Sequence, residues 1–167
     1  MQIENQYIKH LKMKEKLIAV LNSLLITKLT TVNQFISDSE MCENLGYTRL
    51  HEAIQKLATD QMLHAEWLIE RIKFLDGSAT LSKLNSVMIG KTVSGIMSHR
   101  NNPETLRAHN DAIELAQEAD DYTTADLLYT IVDLEKNSAD WAEILREQLE
   151  IKGPEMYLIT QSESILN

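Results

Sequence analysis

The sequence predicts an all-α protein: a four-helix bundle with a long crossover between helices two and three and a short fifth helix at the C-terminus. Three observations carry this. Gly (5) and Pro (2) are scarce in 167 residues and aromatics make up only 5%, while Leu, Ile, Ala, Lys and Glu dominate, a composition that favours helix. Apolar residues recur at spacings of three and four over four long stretches. Short turn signals separate the first stretch from the second and the third from the fourth. Residues 77–90, between the second and third, lack any strong period and are long enough to run along a bundle.

Residues 1–11 are polar and weakly patterned, which predicts a loose N-terminal extension to one domain over residues 12–165. The first long helix is predicted from about Lys12 to Glu43, with Ile18, Leu21, Leu25, Lys28, Val32 and Phe35 on one face. Asn44-Leu45-Gly46 closes it. The second helix, from about Tyr47 to Leu75, follows so short a turn that the two lie antiparallel. Its inward face reads Ile54, Leu57, Gln61, His64, Leu68, Ile72, Leu75, and Asp76-Gly77-Ser78 ends it.

Lys91–His99 is helical in pattern but contains Gly95. Asn101-Asn102-Pro103-Glu104 then reads as a fresh helix start with proline in the first turn, so a break is expected there. The helix that follows runs to about Asp120 with Leu106, His109, Ile113 and Ala116 inward. The last long helix spans Asp121 to about Ile151 on Leu128, Ile131, Glu135, Ser138, Ala142, Leu145 and Leu149. Gly153-Pro154 stops it, and Glu155 to about Ser164 forms the short fifth helix.

The net charge of −9 argues against binding a phosphate backbone, so no nucleic-acid partner is expected. It suits a soluble protein or one that attracts cations. The single cysteine, Cys42, can form no internal disulfide, which points to a reducing, cytoplasmic setting. No apolar run approaches the roughly 18 residues of a membrane span, so no membrane partner is expected. Leu17–Leu25 after Met13-Lys14 faintly resembles a signal sequence, but Lys16, Asn22 and Ser23 interrupt it and it reads as mature helix. Glycine-rich phosphate loops, Cys-x-x-Cys pairs and nucleophile elbows are absent. His10, His51, His99 and His109 show no metal-ligand spacing, although His109 lies on an inward stripe.

The informative feature is polar residues on the inward faces: Lys28 on the first helix, Gln61 and His64 on the second, Glu135 and Ser138 on the last. A polar group facing a core must be hydrogen-bonded, bind something, or cost stability. Lys28 either snorkels to water from the stripe's edge or places an ammonium inside the bundle, where it needs an acidic partner. His64 is either a hydrogen-bonded core histidine or a ligand. Gln61-x-x-His64 and Glu135-x-x-Ser138 have the three-residue spacing that puts two side chains on one helix face.

From about Leu17 to Gln161 the chain resembles the bacterioferritins of the ferritin-like superfamily. The resemblance rests on Leu21-Asn22-x-Leu24-Leu25, Val32-Asn33-Gln34-Phe35, His64-Ala65-x-x-x-Ile69-Glu70-Arg71-Ile72-x-Phe74-Leu75-x-Gly77, Ile89-Gly90, Asp121-Tyr122, Asp140-Trp141 and Tyr157-Leu158, in matched order. It implies a cage of twenty-four subunits that oxidises ferrous iron and stores it as a ferric mineral, with a ferredoxin-type electron donor as a further partner. It also implies haem b held at twofold subunit contacts by a methionine from each subunit. That methionine is Met62, with Leu29, Val32, Asn33 and Ile36 nearby. Gln55 replaces an aromatic common beside the haem, Phe35 stands for an aromatic near the iron centre, and Lys56 replaces an inner-surface histidine.

The di-iron ligands implied by the resemblance are mostly replaced. Lys28 stands for the first-helix Glu, Gln61 for the second-helix Glu and Ser138 for the last-helix His, while His64 and Glu135 remain. The third-helix position falls on Asn102 or Glu104, depending on where a two-residue deletion lies. Two ferrous ions need several carboxylates to match their charge. Here the carboxylates are thinned, and Lys28 can pair with Glu135, and also with Glu104, to neutralise the site without metal. The expectation is therefore a haem-binding cage subunit with a silent iron centre, co-assembling with a catalytically competent subunit. A ferroxidase using His64, Glu135 and Glu104 in a rearranged or single-iron site is the enzyme alternative, and a structural protein with no iron role is the third. Acidic Asp60, Glu66 and Asp126 either line iron paths or form solvated helix faces.

Overall fold

A computed structural model describes residues 2–81, 83–98 and 103–162. Its helices are α1 (Gln2–Asn44), α2 (Thr48–Phe74), α3 (Val93–Ser98), α4 (Pro103–Glu118) and α5 (Tyr122–Ser162), with no strand among the described residues. Helix α1 lies along α2, α4 along α5, and the two pairs close into a bundle through α1 on α4 and α2 on α5. The α1–α2 pair is antiparallel: Lys14, near the start of α1, bonds Asp76 just past the end of α2 at 2.8 Å.

Helix α1 starts at Gln2, so residues 2–11 of the expected N-terminal extension are helical. No glycine or proline occurs before Gly46, so nothing local stops the helix. Residues 4–12 are all exposed, so the buried core begins at Leu17. The predicted inward stripes of α1, α2 and α5 are the buried or half-buried ones. Leu106 on α4 is the exception: it is exposed, while His109, Ile113 and Ala116 are buried. The helix start expected at Asn101-Asn102, and His99 before it, lie outside the described residues.

The crossover has no helical period because side chains of α1 satisfy its backbone. Asn22 Nδ2 donates to the Ser78 carbonyl at 3.1 Å and Thr80 N donates back to Asn22 Oδ1 at 2.8 Å. Asn85 N donates to Thr30 Oγ1 at 3.0 Å, and Met88 N to Gln34 Oε1 at 2.8 Å. The partners advance together, so the crossover runs beside α1 in the same direction. Without these bonds an extended segment on a helix surface would leave its N–H groups unpaired except by water. At its end Gly90 is buried, where a Cβ would meet Ile96 N at 3.0 Å and Ile96 Cγ1 at 2.8 Å.

Helix α5 is capped by Asp121, whose carboxylate accepts from Thr124 N at 3.1 Å. The same carboxylate takes Arg71 Nη2 at 2.6 Å and so ties α2 to α5. At Gly153 (φ 75, ψ 161) α5 breaks, and Pro154 starts a separate terminal arm, the predicted short fifth helix. The arm folds back on the α1–α2 turn. Tyr157 is 1% exposed and lies 5.9 Å from Tyr47 between ring centroids, and Arg49 donates to the Thr160 carbonyl at 3.3 Å.

The core is divided in two. One apolar cluster holds Leu21, Leu25, Leu68, Ile113, Leu128 and Ile131, and the other holds Cys42, Ile54, Ile96, Leu149 and Tyr157. On α1, α2 and α5 the chain passes from one cluster to the other through Lys28, through Gln61 and His64, and through Glu135. The division therefore falls at a polar layer.

Candidate metal centre

Four helices supply this layer. Lys28 (1% exposed) comes from α1, Gln61 and His64 from α2, His109 from α4 and Glu135 from α5. Apolar turns on both sides fix each position. The stripe that must bury Leu25 and Val32 on α1 also buries Lys28, and likewise for the others.

Lys28 Nζ donates to Glu135 Oε1, forming the ion pair expected from the sequence. Burial lowers the Lys28 pKa, and Glu135 opposes that by charge and hydrogen bond. Burial alone would raise the Glu135 carboxyl. Lys28, aided by His109 and a hydrogen bond from Gln61, instead holds it below the ordinary carboxylate range, so it is ionised at neutral pH.

Two histidines face this pair. His64 Nδ1 lies 4.0 Å from Glu135 Oε1, beyond hydrogen-bond reach, and its ring is 5.4 Å from Trp67. His109 Nδ1 donates to the Thr105 carbonyl at 2.7 Å. That fixes the tautomer and leaves Nε2 as a bare acceptor. In this layer three buried side-chain atoms have no hydrogen-bond partner among the described residues: Gln61 Oε1, His64 Nδ1 and His109 Nε2. Burial lowers both histidine pKa values, and the Lys28 charge lowers them further.

The sequence pointed to His64 and Glu135, and both are here. Glu104 is exposed in the first turn of α4 and is not among the buried groups. Ser138 is half-buried and donates to the Leu134 carbonyl at 3.1 Å, a bond within its own helix. Asn102 lies outside the described residues. The member of the layer that sequence reasoning undervalued is His109. Its only signal was an inward position between apolar turns.

A pH dependence follows. The unfolded histidines titrate near about 6.5 and the folded ones lower. Below that value the unfolded chain therefore binds protons that the folded chain refuses, and stability falls with pH. Each histidine contributes at most about 1.4 kcal/mol per pH unit. Glu135, also depressed, contributes stability that is present above the ordinary carboxylate value and is lost only as pH falls through its own lower pKa. A urea midpoint that drops between pH 7 and 5, with a shallower drop in His109→Leu, is expected; equal midpoints at the two pH values would refute the buried neutral histidines.

A second feature surrounds Met62, which is 41% exposed on α2. It opens into a groove of about 440 Å³ lined by Leu29, Val32, Asn33, Leu81, Lys83 and Leu84. Three of the four residues expected near Met62 line it. Ile36 does not; it is 49% exposed, further along α1.

Chemically, the described residues bring one carboxylate to the centre, already neutralised by an ammonium, where two ferrous ions would bring about four positive charges. Comparison with known proteins agrees with the fold. A ferritin-like domain family matches residues 18–151. A bacterioferritin of Mycobacterium avium is 34% identical over 85% of this chain and 91% of its own length. A bacterial ferritin of Synechocystis is 30% identical over 90% of this chain and 99% of its own. A bacterioferritin of Streptomyces coelicolor is 28% identical over 87% and 88%.

Proposed function

The chain belongs to the bacterioferritins, and from that premise we propose that it is an iron-storage cage subunit that binds haem and carries no working di-iron centre of its own. The Lys28–Glu135 pair carries this reading. It fills the bundle centre with an ammonium, and a metal ion would have to displace that charge from the half-buried Glu135 carboxylate. Oxidation of ferrous iron, the cargo, then falls to a competent subunit co-assembled in the same shell of twenty-four.

The Met62 groove supports the haem part. A thioether on an open, mostly apolar groove would suit a ligand to haem iron, and its volume falls in the range of ligand sites. Methionine equally fills gaps in apolar contacts, so the groove is read together with its family. Met62 would hold the iron, Leu29 and Val32 would cover part of the ring, and a second copy of the chain would supply the opposite face. Bound haem would supply electron transfer for releasing stored iron, with a ferredoxin-type protein as donor. No helix is long and apolar enough to cross a membrane among the described residues. A cytoplasmic setting fits the lone, buried Cys42.

Haemin reconstitution tests the haem part. The native chain is expected to show a strong Soret band with thioether-ligated spectral features, and Met62→Leu to lose those features and at least tenfold in affinity. An unchanged spectrum in Met62→Leu would remove Met62 as the ligand.

One observation favours a second reading. His109 Nε2 is buried and has no hydrogen-bond partner among the described residues, and it lies near Glu135, so a single metal ion held by His64, His109 and Glu135 would need only Lys28 to swing away. Iron-dependent turnover by the isolated chain, lost in His109→Leu, would support it over the silent centre.

A further inference from the structure

The end of α1 carries Glu40 and Glu43 one helical turn apart, with no basic residue in its last turn. A helix C-terminus is itself a negative pole, so carboxylates there are repelled by the helix as well as by each other. Neither glutamate joins an ion pair among the described residues. Across the α1–α2 turn, His51 reaches the same spot: one oxygen from each carboxylate and one imidazole nitrogen lie within 4.8 Å of one another. His51 Nδ1 is 2.9 Å from the Ser39 carbonyl. A carbonyl only accepts, so Nδ1 carries the proton and Nε2 keeps a free lone pair. Backbone carbonyls orient metal-bound imidazoles in this way.

We propose that Glu40, Glu43 and His51 bind one divalent transition-metal ion, such as ferrous iron or zinc. Two carboxylates match the charge of one such ion and relieve the repulsion at the helix end. The imidazole selects transition ions over calcium and magnesium, which take oxygen ligands. Water completes the coordination, because both carboxylates are exposed. The site is distinct from the bundle centre. Lys28 and Glu40 are separated by about 18 Å along α1 at the helical rise per residue. An exposed three-ligand site exchanges its ion readily, so it serves to collect ions rather than to retain them.

Zinc titration by calorimetry on the full chain tests this, with the Glu40→Gln/Glu43→Gln double variant and with His51→Gln. The wild type is expected to bind one zinc ion per chain that the double variant lacks, and His51→Gln to bind that ion at least tenfold more weakly. Far-ultraviolet dichroism checks that the variants keep the helical fold. Equal zinc stoichiometry and affinity in wild type and double variant, or no zinc binding by the wild type, overturns the proposal. Because neither outcome depends on the bundle centre or on haem, it stands or falls separately from the proposed function.

Discussion

Glu135→Ala is expected to destabilise the fold by about 3–5 kcal/mol, the usual cost of removing one partner from a buried ion pair. Lys28 is 1% exposed, so its buried ammonium would be left without its counter-charge. Against a total stability of roughly 5–15 kcal/mol, that loss is large. Lys28→Met should cost less, because Glu135 keeps 21% of its side chain exposed and can take up a proton. The double variant Lys28→Met/Glu135→Leu should recover most of the loss, since an apolar pair of similar volume often replaces a buried ion pair at little cost. Urea denaturation of the four proteins gives the coupling energy directly. A cost below about 1 kcal/mol for Glu135→Ala would mean that the pair is solvated and does not define the centre.

The triple variant Lys28→Glu/Gln61→Glu/Ser138→His is expected to change both activity and stability. It restores, at positions 28, 61 and 138, the ligand types implied by the family resemblance, beside the retained His64 and Glu135. Without metal, three carboxylates on three facing helices repel one another where one ion pair stood. The metal-free variant should therefore be several kcal/mol less stable, on the order of a broken buried pair. A divalent metal should return that stability, by about 2.7 kcal/mol at a hundredfold excess over its Kd. Ferrous oxidation should rise at least tenfold over the parent chain. A variant whose stability and oxidation rate ignore added metal would show that position 28 does not face the metal space at all.

The bundle was readable because buried helix faces repeat with a fixed period, and a polar residue within such a face stands out. That is how Lys28, Gln61, His64 and Glu135 stand out, while the pairing of Lys28 with Glu135 was expected from the ligand positions that the family resemblance implies. Spatial relations between helices have no such signature. His109 carries the same inward signal as a core residue, and only the fold brings it to Lys28 and Glu135. Glu104 was attractive for its charge and near-alignment, but its place in the first turn of α4 leaves it exposed. The crossover was legible only as a lack of pattern. Its order comes from Asn22, Thr30 and Gln34 on another element, which sequence reading takes for ordinary polar positions. The Glu40–Glu43–His51 cluster was missed for a similar reason: His51 showed no ligand spacing with other histidines, and its partners lie across a turn.

The most direct test of the silent centre is aerobic ferrous-iron oxidation by the purified, single-type protein, followed by ferric absorbance against a protein-free control. The rate should equal the control, because Glu135, the only carboxylate that the described residues bring to the centre, is held by Lys28. A rate clearly above the control, and lost in Glu135→Gln, would contradict it and place a working iron site at His64, His109 and Glu135.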